Sequence, residues 1–248
     1  MKNTMRLAVC VMVGTMVSTV SAQSFNVDVG QPGSQPPATY AAAGQAGVWN
    51  SLTAEHITPF TTGPTPDDVL LVDINGNQTS VGFHQFGGMD LQAANDPNLS
   101  GDSASLLNDY MATHSVPLEN CMYLNGLEPG TYEVITYAWM PNNPFNMQLV
   151  RFDNLPGEID LVGGVWPGDH VEGVTYNREV FDVVDGHIGW HVGIPTGGAT
   201  EPGAAFNGFQ IKLLGDPVPA ASEWGLLILS LMTLGAGTLV FRVQTRSA

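Results

Sequence analysis

Between His187 and Ile194 the sequence reads HIGWHVGI, with Ile188, Trp190, Val192 and Ile194 at every second position and histidine or glycine between them. Successive side chains of an extended strand point to opposite faces, so this spacing gathers four large apolar groups on one side. A helix would scatter them around its circumference. The segment therefore demands a sheet with one face in a core and a second layer to cover it.

Other stretches repeat the demand. In DDVLLVDINGNQTSVGFHQF, Asn75-Gly76 separates two apolar runs and supplies the positive φ values of a tight hairpin turn. Pro129-Gly130 launches a run rich in Tyr, Val and Ile, and Asp185-Gly186 marks a turn before the strand quoted above. In FNGFQIKLL, Phe209, Ile211 and Leu213 alternate inward against Gln210 and Lys212. One helix is predicted in GDSASLLNDYMATH, where Leu107, Tyr110, Met111 and His114 fall at helical spacing and Ser103 can cap. With 29 glycines, 17 prolines and only 12% charged residues, the chain reads as all-β: a jelly-roll β-sandwich with one short helix, over residues 24–214. The segments AGVWN (46–50), LEPGTYEV (127–134), VVDGHI (183–188) and FNGFQI (206–211) resemble the galactose-binding-like jelly rolls, among them the malectin-like and carbohydrate-binding-module families. That resemblance implies a sandwich that takes sugars through loops at one end, and it assigns no contact residue.

The two ends carry a different message. Lys2 and Arg6 precede the apolar run LAVCVMVGTMVSTV, and small residues Ser21 and Ala22 follow. This is the layout of a secretory signal peptide cleaved near Ala22, taking Cys10 with it, the alternative being an uncleaved N-terminal membrane anchor. Cys121 is then alone and reads as a small buried apolar residue. Trp224 to Phe241 is uncharged and, as a helix, spans about 27 Å, close to a bilayer core. Trp224 at one interface and Arg242 and Arg246 at the other place the C-terminus (242–248) in the cytoplasm and the domain outside, on a stalk of residues 215–223. Val218, Pro219, Ser222, Glu223, Trp224 and Gly225 resemble the IPTL-CTERM sorting signal, related in layout to PEP-CTERM. The resemblance implies a Gram-negative envelope protein handled by a sorting protease of the exosortase kind. Ala220 and Ala221 stand where that family has Thr and Leu.

Charge narrows the partners. All 23 acids lie between Asp28 and Glu223, against Arg151, Arg178 and Lys212 alone. A nucleic-acid binder needs bases to replace phosphate counterions, so that class is excluded. The same field repels acidic polysaccharide and attracts divalent cations, calcium among them.

Among candidate sites, Trp139 and Trp166 precede proline-containing turns, with Asp169 and His170 beside the second. Loop aromatics stack on pyranose rings and such polar neighbours bond hydroxyls, so these four form the expected ligand site. Core packing is the competing role for the tryptophans. Gly101-Asp102-Ser103 resembles the nucleophile block of GDSL hydrolases, but it follows a loop and lacks the Asp-x-x-His partner, leaving Ser103 as a helix cap. His187 and His191 are four apart. On a strand that is about 13 Å, too far for one zinc ion. Asp73, Asn75 and Asn77 alternate as in a calcium loop, but position 84 is His84 rather than the closing glutamate. The sequence thus predicts an exported, membrane-tethered protein with a non-enzymatic, carbohydrate-binding ectodomain. The alternatives are an extracellular hydrolase of polysaccharides or esters and a purely structural biofilm or adhesion protein.

Overall fold

The computed structural model describes residues 23–56, 68–87, 90–113, 119–143, 145–195 and 203–215. The expected signal peptide, sorting motif and membrane span lie outside them. Among the described residues no helix is long and apolar enough to cross a membrane.

In chain order the strands are β1 (Ser24–Val29), β2 (Trp49–Leu52), β3 (Val69–Val72), β4 (Gln78–Phe86), β5 (Asp90–Ala93), β6 (Asp109–Ala112), β7 (Glu119–Asn125), β8 (Gly130–Tyr137), β9 (Gln148–Phe152), β10 (Asp160–Val162), β11 (Tyr176–Val183), β12 (His187–Gly193), β13 (Ala205–Phe206) and β14 (Gly208–Gly215). The helix α1 spans Gly101–Leu107. One sheet has the order β11-β8-β14-β1-β2, the second β10-β9-β12-β7-β4-β3, and a small third β13-β6-β5. The described residues form an all-β sandwich with one short α-helix.

The core shows why the two large sheets face each other. Phe83, Phe152 and Trp190 of one sheet meet Phe181 and Phe209 of the other, with Phe83–Phe209 centroids 5.4 Å apart, Trp190–Phe209 5.1 Å and Phe152–Phe181 5.3 Å. Ile188, Trp190 and Val192 are buried in this cluster and Ile194 packs at its margin, as the alternation predicted. The hairpin at Asn75-Gly76 also forms, with Gly76 at φ 88° and Val72 opposite Gln78. The Asp185-Gly186 turn is present but makes no hairpin. It carries the chain from β11, at the edge of the first sheet, to β12, inside the second.

The predicted helix is half right. It stops at Leu107, and Asp109–Ala112 become β6, with Met111 opposite both Leu91 and Phe206. Asn108 makes the break: its side-chain oxygen accepts from the Asp96 amide at 3.1 Å and its carbonyl from Ala94 N–H at 2.7 Å. Pairing on both sides outweighs a local helical period of one turn. Nor does Ser103 cap. Ser100 precedes the helix without a side-chain cap bond, and Ser103 lies within it.

A second apolar cluster sets up the site. Along β8, Tyr132 and Val134 enter the main core, whereas Ile135 and Tyr137 point to the outer face. There they join Trp49, Leu99, Leu106, Leu107, Trp139 and Tyr176 under α1 and the flanking loops. Those loops thereby pack on the outer face of the first sheet.

Candidate functional site

Three loops meet over this second cluster: the segment before α1, the chain leaving β8, and the segment after β10. They enclose a shallow cleft of about 210 Å³ that includes Asp96, Asn98, Asn142, Trp139, Val165 and Trp166. Trp166 is half-buried, and its ring meets Trp139 edge-on at 6.1 Å and His170 at 5.7 Å. Val165, 69% exposed, gives the rim an apolar lip beside it.

Asp96 is held at the polar side of the cleft. Its Oδ1 accepts from the Asn98 backbone N–H and from Asn98 Nδ2, each at 2.9 Å, and its Oδ2 accepts from Asn142 N–H at 2.9 Å. Asn142 adopts φ 60°, a left-handed conformation that asparagine tolerates and that aims its amide at the carboxylate. Burial pushes the Asp96 carboxyl up, but these amide bonds outweigh it and hold it below the usual range. The cleft therefore offers a fixed carboxylate and two planar amides beside an indole.

The four residues singled out from sequence divide. Trp166 is the half-exposed aromatic of the cleft. Trp139 is only 2% exposed: its Nε1–H donates to the Gly164 carbonyl at 2.9 Å and its backbone N–H to Asn207 Oδ1 at 2.7 Å. It is the inner wall that supports Trp166, not a stacking platform. His170 stands behind Trp166, its Nε2 2.6 Å from the Tyr40 hydroxyl, which also lies 3.1 Å from Ser103 Oγ. Burial lowers the His170 pKa to about 4, against a smaller upward pull from Asp169, so the ring is neutral at neutral pH. Asp169 is exposed and accepts from the His170 backbone N–H at 2.8 Å, outside the cleft. Sequence reading missed Asp96, Asn98 and Asn142. Their signal was the Asp-Pro-Asn and Asn-Asn turns, which look like ordinary loops until the fold brings them to Trp166.

Ser103 touches Tyr40 rather than a histidine, so it has no direct base. Asp73, Asn75 and Asn77 satisfy one another: Asp73 Oδ1 accepts from both asparagine backbone N–H groups and Oδ2 from Asn77 Nδ2, at 2.8–2.9 Å. These bonds fix the hairpin with oxygens a calcium ion would require. His84 lies on β4, 2.7 Å from Asp68 Oδ1. His187 and His191 have separate partners, His187 Nδ1 being 2.9 Å from Asn125 Oδ1 and His191 meeting Cys121 and Asp153. A second polar cleft of about 220 Å³ includes Asp160, Glu172 and Asn177. Asn177 Nδ2 donates to Asp160 Oδ2 at 2.8 Å and to Glu179 Oε1 at 3.3 Å, and burial raises the Glu179 carboxyl.

No known family's sequence pattern matches the chain, and no curated protein matches it. Among solved structures it is similar to the plant receptor-like kinase ANX1, with 14% identity and a TM-score of 0.46 over 80% of this chain and 51% of that one. It is also similar to a chain in the complex of the plant peptide RALF23 with FER and LLG2, with 11% identity and a TM-score of 0.42 over 78% and 40%. The exo-beta-1,3-galactanase from Phanerochaete chrysosporium with beta-1,3-galactotriose matches at 12% identity and a TM-score of 0.30, over 57% and 32%. The chain thus spans about half or less of the length of these structures. What its cleft can do follows from its own residues.

Proposed function

We propose that this protein binds a neutral carbohydrate in the Trp166 cleft, as the ectodomain of an exported bacterial envelope protein. The observation that carries the reading is the placement of an indole beside an ionised, immobilised carboxylate and two amides. Sugars present an apolar ring face and a rim of hydroxyls, and this pairing of groups answers both. The cleft is smaller than the about 300–1,000 Å³ of small-molecule pockets, which suits one ring held at the surface. The net negative charge of the domain favours neutral over acidic glycans. The reading includes a jelly-roll connection of the sandwich and a single ectodomain over 24–214. It also includes export through residues 1–22, tethering by 224–241, and handling by an exosortase-type protease at Val218–Gly225.

The test is a neutral-glycan array probed with the full chain in detergent. Saturable binding weakened at least tenfold by Trp166→Ala supports the proposal. Binding unchanged in that variant refutes it, as does hydrolysis of a chromogenic glycoside or ester without retained binding. Fractionation that finds the unprocessed chain in the cytosol refutes the export and tethering.

A further inference from the structure

The outer face of the six-stranded sheet carries a cluster that the cleft does not use. Pairing of β7 with β12 sets Cys121 opposite His191, and pairing of β12 with β9 sets Arg151 on the other side of the same histidine. His191 is 8% exposed. Its Nδ1 lies 3.1 Å from Cys121 Sγ and 3.5 Å from Glu119 Oε2, and its Nε2 lies 3.0 Å from Asp153 Oδ1. A carboxylate can only accept, so in the neutral ring Asp153 draws the proton to Nε2. That leaves Nδ1 as a bare lone pair facing a sulfur and a second carboxylate oxygen.

We propose that Glu119, Cys121 and His191 form a binding site for a thiophilic divalent cation, zinc by its chemistry. Three electron-pair donors of the types zinc prefers converge with all ligand atoms within 4.8 Å of one another. With Zn–N of about 2.0–2.1 Å and Zn–S of about 2.3 Å, tetrahedral edges are about 3.4–3.6 Å. The two measured edges fall within about half an ångström of that. Asp153 supplies the outer hydrogen bond that orients a metal-ligating histidine and raises its basicity. Gly189 makes room for it, because a Cβ there would lie 2.4 Å from Asp153 Oδ2. Arg151 donates to Glu119 Oε2 at 2.8 Å and fixes that carboxylate, which keeps further lone pairs for a cation. The two charges of the ion and that of Arg151 balance Glu119, Asp153 and a Cys121 thiolate. Glu119 and Asp153 are 30% and 46% exposed in their side chains, so a fourth position opens to water.

The same atoms also have the order of a cysteine nucleophile, its base and an orienting acid. Cys121 lies within β7 with its backbone paired to Phe86 on one side and His191 on the other, whereas a nucleophile needs free amides beside it to hold an oxyanion.

The test uses the full chain, purified in detergent, reduced and stripped by chelator, then titrated with Co²⁺ alone and Zn²⁺ alone. One Co²⁺ per chain with a thiolate-to-cobalt charge-transfer band in the near ultraviolet, displaced by zinc, is expected. Cys121→Ser and His191→Gln lose the band, Cys10→Ser keeps it, and Asp153→Asn keeps it with about 10–100-fold weaker affinity. Thermal midpoints of the metal-free variants check that they fold, and Cys121→Ser, a near-isosteric change at a half-buried position, carries the test if His191→Gln does not. Absence of a thiolate band in the unsubstituted chain, or its survival in Cys121→Ser, overturns the proposal.

Discussion

His170→Gln is expected to flatten the dependence of stability on pH below neutrality. In the folded protein the His170 ring lies beneath Trp166 and against Tyr137, and burial lowers its pKa from 6.5 to about 4. As pH falls through 6.5 the unfolded chain takes up a proton that the folded chain refuses until about 4. Between those values the unfolded state binds more protons, so stability declines with falling pH and is fully retained only above 6.5. The full span corresponds to at most about 3.4 kcal/mol, and partial access of solvent to the ring reduces this to about 2 kcal/mol. For a domain of this size that is a drop of roughly 4–8 °C in Tm between pH 7 and 4 attributable to this ring alone. Glutamine does not titrate, so the variant's loss of stability over the same range is smaller by that amount. Urea denaturation at half-unit pH steps reads the difference, and an NMR titration of the ring gives its pKa directly. A ring pKa of 6 or above, or a variant with the unaltered slope, would falsify the reasoning.

Two other substitutions probe the fold. Asp28 is fully buried, neither carboxyl oxygen has a partner, and burial together with Asp109 raises its pKa well above the usual value. Its folded form keeps the proton, so stability is intact below the unfolded pKa near 4 and falls by about 1.4 kcal/mol per pH unit above it, until the folded pKa is reached. Asp28→Asn removes that loss, and its gain in Tm over the unsubstituted protein is expected at pH 7 and absent at pH 3. Asp73→Ala takes three hydrogen bonds from the Asn75-Gly76 turn and is expected to destabilise by about 1–3 kcal/mol in chemical denaturation. Burial raises the Asp73 carboxyl, the bonds from Asn77 and Asn75 outweigh it, and the net lowering means that this contribution fades as the group is protonated below the ordinary carboxylate range.

What the sequence disclosed was local. A period of two in Ile188–Val192 and an Asn-Gly turn depend on neighbours in the chain, and both appear where predicted. The helix past Leu107 failed because Asn108 answers to Ala94 and Asp96, and Met111 to β5 and β13, none of them neighbours along the helix. Trp139 was assigned to a ligand because a loop tryptophan before proline looks exposed. Its indole N–H instead found the Gly164 carbonyl, 25 positions further along the chain. The metal-ligating cluster was invisible for the same reason. Glu119 and Cys121 share a face of β7, but only the β7–β12 register brings them to a histidine 70 positions later.

The most direct test of the proposed sugar site is an NMR titration of the chain with a glycan that binds on the array, following the indole N–H signals of its five tryptophans. The Trp166 indole and the side-chain amides of Asn98 and Asn142 should shift together along one saturation curve, while the indole of Trp190 in the main core stays still. Shifts confined to other residues, with Trp166 unmoved at saturation, would contradict the placement of a carbohydrate in this cleft.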